Sequence, residues 1–124
     1  MNKQKRNKII YWIATIWFCF GMLTSGVVQL LQLPFEVEFM MNLGYPQYFL
    51  PILGVWKILG VLAVIVPGKV ILKEWAYAGF FFAMSGAAIS HVAVGESIRE
   101  AFPALLLLIL IVISWYFRPE NRKI

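Results

Sequence analysis

Aspartate is absent from this 124-residue chain, and histidine and cysteine occur once each, as His91 and Cys19. With no Asp and a single His there is no Ser-His-Asp set, no aspartyl pair and no cluster of metal-ligating side chains, so no catalytic residues and no metal site are assigned. A lone cysteine inside an apolar run forms no internal disulfide, and without a CxxC pair it excludes membrane thiol oxidoreductases that use an internal dithiol. Haem held by two histidines is likewise excluded within one chain. No glycine fingerprint for a nicotinamide or flavin dinucleotide is present. Charge is scarce as well: 14% of residues are charged, against about 25% in soluble domains.

What remains is apolar. Hydrophobic residues make up 61% of the chain and the mean hydropathy is +0.78, the composition of an integral membrane protein. Four apolar stretches, at about residues 9–33, 49–66, 75–94 and 102–117, approach or exceed the ~18 residues that read as a transmembrane helix. Pro34 ends the first, the Pro67-Gly68 turn the second and Gly95 the third; Pro103 sits in the first turn of the fourth and Pro119 beyond its end. The chain is thus expected to be all-α, a single transmembrane domain over residues 1–124 built as an antiparallel four-helix bundle. The N-terminal run is too long for a cleaved leader and is expected to stay as an anchor. Between the first two spans, Pro34 and Gly44 bracket a short helix whose Phe35, Phe39, Met40 and Leu43 fall on one face, suited to the membrane surface or to capping the bundle.

The net charge of +5 is unevenly placed. Lys3, Lys5, Arg6, Lys8, Lys69, Lys73, Arg118, Arg122 and Lys123 fall on one side of the four spans, while the opposite loops hold only Arg99. The positive-inside rule then puts both termini in the cytoplasm and the protein in the cytoplasmic (inner) membrane, with the basic clusters setting topology rather than binding nucleic acid. Tyr11, Trp12, Trp75, Tyr77, Trp115 and Tyr116 at that end, and Tyr45, Tyr48 and Phe49 at the other, fit aromatic belts.

Lys57 interrupts the second span near its middle, where a charge costs roughly 2.5–3.5 kcal/mol on insertion scales. It is eight residues in from the start of its run, so about 12 Å deep. Gly54 and Gly60, three residues to either side, put it on a face where another helix approaches closely. Gly79, Ala83 and Ala87 supply a small-residue stripe on the third span, and Gly21 and Ser25 one on the first. Ser25, Gln29, Gln32, Ser90 and His91 lie at outer depths and are expected to converge with Lys57 on one polar cavity. Glu36 and Glu38 are expected in the solvated loop.

The segments LGYPQYFLPILGVWKILG at 43–60 and KEWAYAGFFFAMSGAAISH at 73–91, with a late apolar helix ending in FRPE, resemble the DoxX-like family of small four-helix membrane proteins. The resemblance runs from Ile9 to Pro119. It implies the fold more firmly than an activity. Family members include membrane subunits linked to thiosulfate:quinone oxidoreduction and others tied to oxidative-stress complexes or assembly, and many carry an acidic residue where this chain has Lys57. Three functions follow as expectations. The first is a non-catalytic membrane subunit or accessory protein, embedded in the lipid bilayer and packed against a membrane-protein partner or a second copy. The second is a quinone- or lipid-binding redox component, with Lys57 and His91 as donors to a quinone's carbonyl oxygens. The third is a small transporter. Small multidrug exporters use a buried glutamate in their first helix, whereas every Glu here lies outside the apolar spans.

Overall fold

The computed structural model describes residues 2–96 and 98–122; Lys123, one of the basic residues counted above, lies outside them. Five helices follow in order: α1 (Lys3–Leu30), α2 (Pro34–Asn42), α3 (Phe49–Ile65), α4 (Val70–Ala93) and α5 (Ile98–Tyr116), then a 3-10 turn (Glu120–Arg122). The helix ends obey local chemistry. Asn2 caps α1 by accepting from Lys5 N at 2.7 Å. α2 begins at Pro34 and ends in a Schellman motif, with Tyr45 N on Met40 O at 3.1 Å, Gly44 N on Met41 O at 2.9 Å and Gly44 at φ +91°. α4 ends the same way, Glu96 N bonding His91 O and Gly95 N bonding Val92 O, both at 3.0 Å.

Several boundaries differ from the sequence expectation. α1 stops at Leu30 rather than residue 33, because Gln32 takes a left-handed φ of +52° so that Pro34 can start a new helix. α4 and α5 begin earlier than 75 and 102, at Val70 and Ile98. Lys73 is therefore helical, and Pro103 stands inside α5 rather than in its first turn. α1, α4 and α5 are long and apolar enough to cross a membrane; α3 is apolar but has 17 residues, about 25 Å at 1.5 Å per residue.

α1 packs against α3 and α5, and α4 packs against α3 and α5, so the four long helices close a ring while α2 rests on the end of α1. Tyr11, Ala14, Thr15, Phe18, Cys19, Met22, Gly26 and Gln29 form the inward stripe of α1, which is polar at both ends and apolar between. Phe18 fills the centre, its ring 6.0 Å from Tyr77 and 5.8 Å from Phe80. Met22, Val61 and Met84 join it there.

The small residues do not all serve the interior. At the α1–α3 crossing Gly26 meets Gly54: a Cβ added at Gly54 would lie 2.6 Å from Gly26 O and 2.7 Å from Leu30 N. Gly60 instead admits the Phe80 ring of α4, which an added Cβ would meet at 2.5 Å. The two glycines flanking Lys57 thus serve different neighbours. On α4, Gly79 and Gly86 have nothing within 4 Å of an added Cβ, so that part of its stripe faces outward.

Candidate functional site

At the α2 end of the ring the sequence-predicted residues form separate polar groups. Lys57 is 9% exposed and donates to Ser25 Oγ on α1 at 2.8 Å. One turn on, Gln29, 3% exposed, donates from Nε2 to Glu36 Oε1 at 3.0 Å, and its own Oε1 has no partner. Glu36 stands in the first turn of α2, where the helix dipole favours a carboxylate, and its charge acts on Lys57. Glu36 is thus half-buried and engaged, not a solvated loop residue; Glu38 is exposed.

His91 and Ser90 make a second group on α4. The Schellman turn folds the chain back over the last turn of the helix, and His91 Nδ1 meets Glu96 Oε1 at 2.9 Å. The Phe39 ring of α2 lies 5.2 Å from the imidazole. Ser90 Oγ bonds Gly86 O at 2.8 Å and the Tyr45 hydroxyl at 2.5 Å. Gln32 stands apart: it is exposed and accepts from Gln47 Nε2 at 3.1 Å. α2 and the turn after it bridge the first two groups, through Glu36 on one side and Phe39 and Tyr45 on the other. Glu96, Tyr45 and Phe39 were not among the predicted site residues. The signal for Tyr45 and Glu96 is the pair of terminating glycines, Gly44 and Gly95, each of which turns the backbone of the next residue back toward the helix it ends.

The opposite end holds a second buried polar cluster that spacing alone did not reveal. Lys73, read from sequence as a loop cation, is 1% exposed. Its ammonium donates to the carbonyls of Ala63 and Val64 at 3.0 and 3.1 Å, and to that of Val66. Arg122, read from sequence as a basic residue following the fourth span, donates from Nη2 to Val64 O at 2.6 Å and Ile65 O at 2.8 Å, and from Nε to the Tyr11 hydroxyl at 2.8 Å. Its guanidinium lies 5.0 Å from the Trp12 ring centre. Both cations thus neutralise the C-terminal end of α3. Close by, the Ser114 hydroxyl lies 2.5 Å from Thr15 and 2.7 Å from Tyr77. Tyr11 and Tyr77 are therefore core residues rather than belt residues, while Trp75, Trp115 and Tyr116 are exposed as a belt requires.

Two grooves open on the outer surface of the ring. One, of about 440 Å³, runs between α3 and α4, walled by Trp56, Gly60, Ala63, Ala76, Gly79 and Ala83, with Lys57 contributing to its wall. The other, of about 350 Å³, runs between α4 and α5 and ends at Glu74 and Trp115.

A search of solved structures gives no match. Among curated proteins, the uncharacterised protein YdgD of Bacillus subtilis (strain 168) is similar, 31% identical over 94 residues that cover 72% of this chain and 80% of the relative. The DoxX-like family matches over residues 13–113, from within α1 to the last turn of α5. The chain belongs to the DoxX-like family of membrane proteins.

Proposed function

We propose that this DoxX-like protein is a non-catalytic subunit or accessory protein of the cytoplasmic membrane, a four-span bundle with both termini inside. The observation that carries the reading is the outward face of α4. Gly79 and Gly86 meet no other atoms there, and Ala83 lies between them in the wall of the α3–α4 groove. In lipid, where tails are as apolar as leucine, helices associate through such seams because backbones can approach closely. Exposed Trp75, Phe82 and Ile89 supply large flanking side chains. The partner is a transmembrane helix, of another subunit or of a second copy. The two polar groups, around Lys57 and around His91, serve to set α2 over the bundle. A Gly79→Leu substitution fills the seam, so the mass of the complex extracted in polymer-bounded native discs should fall to that of one chain. A wild-type particle that already contains a single chain and nothing else overturns the proposal.

A second reading, a lipid- or quinone-binding redox component, is favoured by the groove that brings apolar walls beside the Lys57 side chain. An amphiphile with one polar acceptor suits such a site. Here solvent extraction of purified protein should yield stoichiometric quinone or lipid, and Lys57→Met should deplete it at least several-fold. Equal retention by the variant would remove Lys57 from the site.

A further inference from the structure

The tail after α5 builds a pocket that none of the foregoing uses. Pro119 turns the chain, and the following 3-10 turn is pinned when Arg122 buries itself under α3 against Tyr11. Residues 119–121 are thereby held beside the first turns of α1, where Gln4, Asn7 and Lys8 share one helical face. The space between is about 440 Å³, lined by those three together with Arg118, Glu120 and Asn121. It sits where α1 becomes apolar, level with exposed Tyr116 and Trp115, which is the depth of lipid headgroups.

The lining carries both signs. Lys8 is exposed and Arg118 spends only part of its fork on protein, Nε on Glu74 at 3.1 Å and Nη1 on Trp115 O at 2.6 Å, leaving donors for a phosphate. On the accepting side stand the Glu120 carboxylate and Asn7, whose Oδ1 has no partner. The amide torsion is broad and roughly twofold, so turning the amide over presents that oxygen to the pocket. Arg118 also joins this pocket to an apolar groove: it stacks over Trp115 at 4.5 Å, and Trp115 and Glu74 close the α4–α5 groove. A polar chamber for a head thus adjoins an apolar channel for a chain. We propose that this pocket binds the headgroup of an aminophospholipid, its phosphate on Lys8 and Arg118 and its primary ammonium on Asn7 and Glu120. A quaternary choline has no N–H to donate to Asn7, and a glycerol head carries no ammonium at all.

The test is thermal unfolding of the delipidated full chain in detergent, titrated with short-chain phosphatidylethanolamine, phosphatidylcholine, phosphatidylglycerol or soluble phosphoethanolamine. Phosphatidylethanolamine should raise the midpoint most. Lys8→Gln should weaken its apparent affinity about five-fold, the effect of one basic residue at a membrane surface, while Lys3→Gln, outside the pocket, should leave it unchanged. Asn7→Leu should bring the ethanolamine and choline lipids to parity. Equal stabilisation of wild type by ethanolamine lipid and either other lipid overturns the ammonium assignment. Equal weakening by Lys3→Gln and Lys8→Gln overturns the site, and protection by phosphoethanolamine matching that by its lipid overturns a membrane source.

Discussion

Lys57 shows how a costly residue is kept inside an apolar helix. Its ammonium has a hydroxyl partner in Ser25 and an opposite charge nearby in Glu36. A buried charge held by one hydroxyl is weak evidence for stability, since an apolar residue of similar length often does as well, whereas removing the acceptor leaves the charge unpaired. Lys57→Met is therefore expected to change unfolding free energy by no more than about 1 kcal/mol, and in the stabilising direction if at all. Ser25→Ala, which leaves the ammonium in place without its acceptor, should cost about 1–3 kcal/mol. Denaturant titration in mild detergent measures both, and the reverse order would make Lys57 the structural keystone of the α1–α3 contact. The lysine itself was legible from sequence, because one cation in an 18-residue apolar window needs no fold to be noticed. Its companions were legible only in part. Ser25 and Gln29 lie four residues apart on a helix of known period. The engagement of Glu36 depends on α2 folding back over α1, which no local spacing encodes.

At the scale of elements, the helix terminators were read correctly where they act locally. Pro34 opens α2, and Gly44 and Gly95 close α2 and α4, each through bonds within six residues. The early start of α5 was missed because Arg99 and Glu100 make its first turn look like a loop in a hydropathy profile, and that of α4 because Lys73 and Glu74 cut residues 70–72 off from the apolar run that follows. Glycines were legible as small but not as to whom they face. Gly54 meets the backbone of α1 and Gly79 meets nothing, and only the arrangement of the ring distinguishes them. The difference gives a paired prediction. Gly54→Ala forces two backbones apart and should destabilise the protein by about 1–3 kcal/mol. Gly79→Ala should be neutral or add up to about 1 kcal/mol, the ordinary gain of alanine over glycine in an open helix position. Thermal unfolding of the two single variants, in the same detergent, compares them directly.

For the whole molecule, the interior is layered. Hydroxyls and two cations occupy the end that holds both termini, aromatic and sulfur side chains the waist, and Lys57, Gln29 and His91 the end under α2. The proposed orientation follows from the basic residues clustered at the terminus end, and it is accessible to labelling. In a Cys19→Ala background, a cysteine placed at Gln47 should react with a membrane-impermeant maleimide in intact cells, and one placed at Asn121 should react only after lysis. Inverted labelling would reverse the topology. The buried terminus-end cluster also predicts that Arg122→Ala, which strands the Ile65 carbonyl and removes a donor from the Tyr11 hydroxyl and the Val64 carbonyl, costs about 3–5 kcal/mol, as loss of one partner in a buried charged network does. Chemical unfolding would register it as a loss several times that of a surface arginine.

The 17 residues of α3 give it a reach of about 25 Å, against about 30 Å for a bilayer's hydrocarbon. In the proposed four-span arrangement its final carbonyls end where water is scarce. Lys73 and an arginine 58 residues further along from Val64 stand in for that water. In that arrangement Lys73 and Arg122 are the hydration shell of a helix too short to reach its own. A version of the protein cut at Pro119, or one whose tail is drawn away by a rigid fusion, would leave Ile65 O without its side-chain donor and Val64 O to Lys73 alone, and its failure would appear as a defect of α3 rather than of the tail.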